Sequence, residues 1–343
     1  MYDFIIVTHI PVFYKVNLYN EIAKEMKILV IFIASNTNEK RSEDFVTLEN
    51  AHFEYELLYE GNIQERNIRK NIFHLFLKLK KKKYKKIIVG GWDLMEYWYL
   101  AFTNPRLKNC SILESTINES KVDLIRANVK RLFLSRISTV FASGNLHEKL
   151  LKKLNYKGEI KITKGVGIIN KPKINIIKRK YEKKYLFIGR LSKEKNIEML
   201  VDIFNDLPDH TLTIIGTGPL EGYLKTKAKQ NIKFIGQIVN QNLSKFFEQN
   251  NILILTSIAE PWGLVIEEAL YFGIPAIVSS NCGACVLIEE GINGYVVDYD
   301  KSNYIKDTIL NINNDIYEEL ICGVGKFSVD DKDSKQARVY FAS

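Results

Sequence analysis

Cysteine is scarce in this chain of 343 residues, with four, at positions 110, 282, 285 and 322. So few in so long a chain argue against a disulfide scaffold and point to a reducing compartment. Cys282-Gly-Ala-Cys285 has CxxC spacing, yet no second pair and no histidine cluster completes a zinc site, so it reads as a plain loop. Long apolar runs are missing too: none approaches the ~18 residues of a membrane span. The N-terminus enters a strand pattern at once, from Tyr2 to Val7. With no basic segment and no cleavage site ahead of it, a secretory signal is not expected. No nucleic-acid motif and no basic stripe interleaved with aromatics occurs, so nucleic acid is not an expected partner.

What is present suits a globular chain. Hydrophobic residues make up 46% and charged residues 26%, ordinary values, and the length allows two domains with separate cores. Charge is uneven. Residues 1–170 carry 28 basic and 18 acidic side chains, residues 171–184 seven and one, and residues 185–343 14 and 21, giving +10, +6 and −7. A basic first half suggests a partner surface of anionic lipid or phosphate.

Strand and helix patterns alternate. Strands are expected at Phe4–Thr8, Ile28–Ala34, Ile87–Val89, Ser111–Leu113 and Thr139–Ala142, with helices between them. That alternation predicts a doubly wound parallel sheet. The helix over Asn67–Leu79 should bury Ile68, Ile72, Leu75, Phe76 and Leu79, and a lysine-rich run from Lys80 to Lys86 follows it. That run is either a solvated helix end or a membrane-surface patch. His9 in the first loop, Gly91 in the Gly90-Gly91 pair, and Glu114 at a strand end are candidates for contact with a ligand. Lys121–Ile137 is a basic amphipathic helix, with Arg126, Lys130, Arg131 and Arg136 on one side and Ile125, Val129, Leu132, Phe133 and Ile137 on the other. The expected division is a first domain over 1–169, a basic linker over 170–184 acting as a hinge, and a second domain over 185–343 whose last helix returns to the first.

The most informative stretch is Asn251–Tyr295. A strand at Ile252–Thr256 breaks at Glu260-Pro261-Trp262-Gly263, a helix follows from Leu264, and a strand resumes at Ala276. In such a βαβ unit ligands sit beyond the strand ends, and the helix N-terminus at Gly263, Leu264 and Val265 offers N–H groups to an anion. Glu260 and Glu268 flank it, placed to accept hydrogen bonds from the hydroxyls of a polyol. Upstream, Tyr185–Gly189 is a strand followed by Arg190-Leu191-Ser192-Lys193-Glu194-Lys195, with Ser192 as N-cap of a helix from about Glu194 to Leu207. Three cations crowding a helix start are disfavoured by the dipole unless a polyanion binds there. Gly216, Gly218 and Pro219 form a strand-to-helix turn, and the fingerprint GxGxxG fails because Glu221 stands where its third glycine belongs.

Glu260-x7-Glu268 around Pro-Trp-Gly-Leu, with Glu-Ala-Leu and Gly-Ile-Pro after it, resembles the signature of the retaining nucleotide-sugar glycosyltransferases of family 4. Gly189-Arg-Leu-Ser-Lys-Glu-Lys195 is similar to that family's diphosphate-gripping segment. The resemblance covers the second half well and the first half loosely. It implies the GT-B fold, two Rossmann-like α/β domains facing a cleft, with the acceptor bound by the first and the nucleotide-sugar by the second. It also implies roles: Arg190 and Lys195 at the diphosphate, Glu260 at the sugar and Glu268 at the ribose. Trp262, Gly216, Gly218, Pro219 and Gln237 would lie beside the nucleotide.

The first loop lacks the glycines, and the Glu114 neighbourhood the histidine, that relatives usually carry there. No Asp-x-Asp box precedes the site, so neither metal nor cofactor is expected, and a glycosidase-like double displacement does not fit. The expected activity is hexose transfer from a UDP- or GDP-sugar to a saccharide acceptor, lipid-linked or of lipopolysaccharide or capsule type. The enzyme would be cytoplasmic, with a possible contact to the inner membrane surface. A nucleotide-sugar epimerase and a non-catalytic glycan-assembly subunit remain as alternatives.

Overall fold

Strands and helices mostly alternate along the computed structural model, which describes residues 1–39, 42–174 and 179–341. These fall into two units: Met1–Asn170 together with the chain from Lys332 onward, and Lys171–Asp331. Of the linker expected over 170–184, residues 175–178 lie outside the described residues.

The first unit runs β1 (Tyr2–Thr8), α1 (Phe13–Ala23), β2 (Ile28–Phe32), β3 (Glu54–Leu57), α2 (Ile68–Lys80) and β4 (Tyr84–Val89). It continues with α3 (Met95–Thr103), β5 (Asn109–Leu113), α4 (Leu124–Leu134), β6 (Thr139–Ala142), α5 (Asn145–Lys153) and β7 (Glu159–Ile162). All seven strands are parallel, in the order β3-β2-β1-β4-β5-β6-β7. Chain order reverses at β1 and β4, which pair as Ile5↔Ile87 and Val7↔Val89. Such a switch point brings two loops together at the C-terminal edge of the sheet. Successive β1 side chains go to opposite faces. Ile5 and Val7 pack with Leu75, Leu100, Phe133 and Leu150 from α2 to α5. Phe4 and Ile6 pack with Val16 and Tyr19 of α1 and with Ala337 and Tyr340 of the last helix. Burial on both faces explains why these strands read as unbroken apolar runs.

One expectation fails here, and the lysine run proves to be divided between elements. Helix α2 buries Leu75 and Asn71 but leaves Ile68 and Phe76 exposed. Its inner stripe is narrow: Leu75 is fully buried, and Leu79 packs against the same core from a half-buried position. The lysine run is also not one patch. The helix ends at Lys80, Lys85 and Lys86 belong to β4, and three lysines near the run are spent on acids: Lys82 and Lys78 on Glu56 at 2.9 and 2.6 Å, and Lys85 on Asp3 at 2.7 Å.

The second unit runs β8 (Lys184–Ile188), α6 (Ile197–Asn205), β9 (Thr211–Ile215), α7 (Glu221–Lys227), β10 (Ile232–Gly236), α8 (Ser244–Gln249) and β11 (Ile252–Leu255). Then come α9 (Leu264–Tyr271), β12 (Ala276–Ser279), β13 (Gly294–Val297), α10 (Ser302–Asn311) and α11 (Asn314–Lys326). Its parallel sheet has the order β10-β9-β8-β11-β12-β13, with the switch point between β8 and β11. The last helix, α12 (Val329–Phe341), begins in this unit and from Lys332 is counted with the first. No helix among the described residues is long and apolar enough to cross a membrane.

The helix expected from Glu194 to Leu207 is shorter. Lys193–Lys195 form a 3-10 turn, Asn196 adopts a left-handed conformation at φ 56°, and α6 starts only at Ile197. Ser192 makes no capping bond; its hydroxyl instead donates to Glu194 Oε1 at 2.6 Å. Arg190, Lys193 and Lys195 therefore precede the helix rather than crowd its first turn.

Candidate functional site

In the second unit, five loops at the C-terminal edge of the sheet are tied together backbone to backbone. Gly189 N–H donates to Ile215 O at 3.0 Å, Leu191 to Thr217 at 3.0 Å, Gly216 to Gly236 at 2.8 Å, Ile258 to Glu194 at 2.9 Å and Gly283 to Glu260 at 3.0 Å. Such close approach needs missing side chains. Gly216 sits at φ 129°, and a Cβ there would lie 2.0 Å from Gly189 O; one on Gly218 would lie 2.4 Å from Leu191 O. The two glycines and Pro219 thus hold the loop after β9 against the loop after β8. Gln237 is exposed just beyond β10.

On this platform the structure brings Lys195 and Glu260 together, 65 residues apart in sequence, as a directly hydrogen-bonded ion pair. The side chains are only 18% and 12% exposed, so each partner's charge is compensated mainly by the other. Arg190 is exposed on the same loop as Lys195. Burial would raise the pKa of Glu194, but the Ser192 hydroxyl and the charges of Lys195 and Arg190 hold it below its ordinary value. Glu260 lies immediately before Pro261-Trp262-Gly263, and Gly263 (φ 94°) turns the chain into α9. The first N–H groups of α9, at Leu264 and Val265, have no partner within their helix, so they add partial positive charge beside the pair.

Trp262 departs from expectation. Placed beside the nucleotide by the resemblance, it is 2% exposed. Its indole N–H donates to Glu267 Oε1 at 2.6 Å, and its carbonyl accepts from Cys282 Sγ at 2.8 Å and from Ala284 N at 2.9 Å. It is a strut that stiffens the loop, with no face left for a ligand. Glu267 is therefore structural, and its neighbour Glu268 is nearly buried and accepts from Asn240 Nδ2 at 2.7 Å. Adjacent glutamates pointing to different sides of one helix gave no signal of this division of labour. Cys282 and Cys285 are free thiols; burial, reinforced by the Glu260 charge, raises the Cys282 thiol well above its usual range.

The remaining candidates lie in the first unit. His9 follows β1, and Gly91 and Asp93 follow β4, on the two sides of its switch point. His9 Nε2 and Asp93 Oδ2 are 2.6 Å apart, and Tyr97 OH is 3.0 Å from His9 Nδ1. The expectation that Gly90-Gly91 admits a ligand to the backbone gives way to a nearer cause: a Cβ on Gly90 would come within 2.7 Å of the Tyr97 hydroxyl. Glu114 pairs with the buried Lys15 at 2.7 Å. Burial alone would favour neutral Lys15, but the Glu114 carboxylate outweighs it and raises the lysine above its ordinary value. Tyr97 and Lys15 were not legible as site residues, and Asp93 was only as part of the Gly90–Asp93 segment, because nothing local in the sequence announces contacts made across 84 to 99 residues.

The family model described as Glycosyl transferases group 1 matches residues 170–319. Most of the second unit is thus similar to a group 1 glycosyltransferase domain. A 41.2 kDa protein of unknown function in the cps region of Klebsiella pneumoniae is 27% identical over 67% of this chain and 62% of its own length. The O-antigen biosynthesis glycosyltransferase WbnH of Escherichia coli is 28% identical over 58% of each chain. The chain thus spans about three-fifths of the length of these curated relatives. Among solved structures, Anabaena HepE in complex with UDP-glucose superposes with a TM-score of 0.72 at 15% identity, covering 99% of this chain and 100% of that one. This likeness shows the fold: each unit is an α/β unit with one parallel sheet, as in the GT-B class.

Proposed function

We propose that this chain is a retaining, metal-independent glycosyltransferase that moves a hexose from a nucleotide diphospho-sugar to a saccharide acceptor. The observation that carries this reading is the Lys195–Glu260 pair beside the start of α9. A largely shielded cation and anion next to helix N–H groups that have no partner in their helix suit a ligand with a diphosphate at one end and hydroxyls at the other. Arg190, Lys195 and the amides of Leu264 and Val265 receive the diphosphate, Glu260 holds sugar hydroxyls, and Glu268 takes the ribose. In the reaction the bond between the anomeric carbon and the β-phosphate oxygen breaks and a bond to the acceptor oxygen forms. The acceptor proton passes to the departing diphosphate. The charge that develops there is stabilised by groups already in place, the main source of rate in such sites.

A UDP-sugar is the first candidate donor, in line with the UDP-glucose bound by HepE, and a GDP-sugar the second. The acceptor is a glycan of the surface-polysaccharide kind, in line with the names of the relatives. Helix α4 supports a cytoplasmic enzyme lying on anionic lipid. Leu124 and Ile125 are 82% and 78% exposed, Val129 and Leu132 are exposed below them, and Arg126 and Lys130 share the helix. Apolar residues among cations fit a negatively charged bilayer surface.

The test is nucleotide release from a panel of UDP-, GDP- and ADP-sugars, with and without a lipid-linked or core-oligosaccharide acceptor, in EDTA. Acceptor-dependent release is expected. Glu268→Ala should weaken donor binding about tenfold, the worth of one charged hydrogen bond. Release unaltered by that variant, or requiring a divalent cation, counts against the reading.

A further inference from the structure

The His9–Asp93–Tyr97 group in the first unit has a direction built into it. Tyr97 is fully buried, and burial, with the nearby Asp93 charge, raises its hydroxyl well above the ordinary value, so it keeps its proton. Asp93 Oδ2 is a carboxylate oxygen and can only accept, so Nε2 of His9 carries an N–H and donates to it at 2.6 Å. A neutral imidazole carries one N–H, which leaves Nδ1 to accept from the Tyr97 hydroxyl at 3.0 Å. Both ring nitrogens are used, and His9 has none left for a ligand. Asp93 is different: its side chain is 56% exposed against 31% for His9. It also lines a cavity of about 390 Å³ together with Tyr14, Gln64 and Thr37. Its second oxygen, Oδ1, lies beside Gly91, where a Cβ would come within 3.1 Å of it. Glycine at that position keeps the oxygen open.

The charges lining this cavity settle what it accepts. Lys15 is matched by Glu114 at 2.7 Å, and Arg66 by Glu96 through two bonds of 2.8 and 3.0 Å. Among the described residues lining the cavity, no lysine or arginine is left over. Asp93 is surplus negative charge at the cavity wall. A hydroxyl donor gains there, whereas a phosphate or a uronate would be repelled.

We propose that Asp93 is the group that receives the nucleophilic hydroxyl of the acceptor, with His9 and Tyr97 as positioning residues behind it, and that the sugar seated there is uncharged. This rests on the glycosyltransferase reading above. Burial would raise the Asp93 carboxyl, but the hydrogen bond from His9 brings it below its ordinary value. Asp93 is accordingly a weak base that orients the hydroxyl and does not take its proton.

The experiment uses the full chain with labelled histidine. Five histidines are present, and His9 is assigned by difference from His9→Gln. Its ¹⁵N shifts should show a pyridine-like Nδ1 and a pyrrole-like Nε2, a preference that Tyr97→Phe removes. Octyl β-glucoside, octyl β-galactoside and octyl α-mannoside should move the His9 signals, and octyl glucuronide should not. Asp93→Asn, and Asp93→Ser as a second variant, should weaken the neutral probes about tenfold, while transfer assays show the loss in acceptor KM more than in kcat. UDP titration runs in parallel, and all variants should bind UDP as the wild type does. Absence of UDP binding in every form, wild type included, would overturn the donor reading and leave the pocket result to be judged by itself. The proposal for Asp93 is overturned if Nδ1 carries the proton, if neutral glycosides leave His9 unmoved, or if Asp93→Asn binds them within twofold of wild type. Equal binding of the glucuronide overturns the charge selectivity.

Discussion

Lys195→Met separates what the ion pair does for folding from what it does for chemistry. With the side chains 18% and 12% exposed, removing the lysine leaves the Glu260 carboxylate largely uncompensated. Breaking a fully buried pair costs ~3–5 kcal/mol; residual solvent contact brings this one down to about 2 kcal/mol. For a protein of this size each kcal/mol lowers the melting temperature by ~2–4 °C, so the single variant should melt about 4–8 °C below wild type. Lys195→Met combined with Glu260→Gln removes the stranded charge and should recover most of that loss, to within about 1 kcal/mol. Activity should not follow. If Lys195 stabilises the departing diphosphate, both variants lose about 3 kcal/mol of transition-state stabilisation, roughly a hundredfold in kcat/KM. Calorimetric melting and steady-state nucleotide release, measured on the same preparations, read the two effects independently. The reasoning is refuted if the double variant turns over at the wild-type rate, or if Lys195→Met melts where wild type does.

Three further outcomes follow from the geometry. Trp262→Phe deprives the buried Glu267 carboxylate of its 2.6 Å donor and should destabilise the protein by about 2–3 kcal/mol in urea titration; an unchanged midpoint contradicts the strut role. Gly216→Ala places a Cβ 2.0 Å from Gly189 O at a left-handed φ of 129°. The backbone must shift, and a loss of about 3 kcal/mol or insoluble expression is expected. Leu124→Glu with Ile125→Glu removes two exposed apolar side chains worth about 1.5 kcal/mol each on burial. Co-sedimentation with anionic vesicles should fall roughly a hundredfold while the melting temperature stays put, and undiminished sedimentation would place the lipid contact elsewhere.

The strands were readable where they are central. Phe4–Thr8 and Ile252–Leu255 are covered on both faces, so their sequences are unbroken apolar runs. The edge strands β3 (Glu-Tyr-Glu-Leu) and β7 (Glu-Ile-Lys-Ile) were not identified, because an edge strand is half solvated and carries charges that blunt further pairing. Helix α6 was begun too early: the segment from Ser192 has capping chemistry, but a left-handed Asn196 resets the chain. Trp262 was misjudged for a related reason. A tryptophan beside two candidate acids looks like a ligand surface until its indole is seen bonded to a third.

By itself, the sequence determined what depends on neighbours along the chain: the alternation of strand and helix, the glycine at the start of α9, and the cations and acids set around it. Tertiary structure decided which charges meet. Lys195 finds Glu260, Lys15 finds Glu114, and Asp93 finds His9 across 65, 99 and 84 residues, because parallel sheets bring the loops of distant strands to one edge. Composition and spacing say nothing about which of two adjacent side chains will face that edge, and the chemistry of both units turns on that choice.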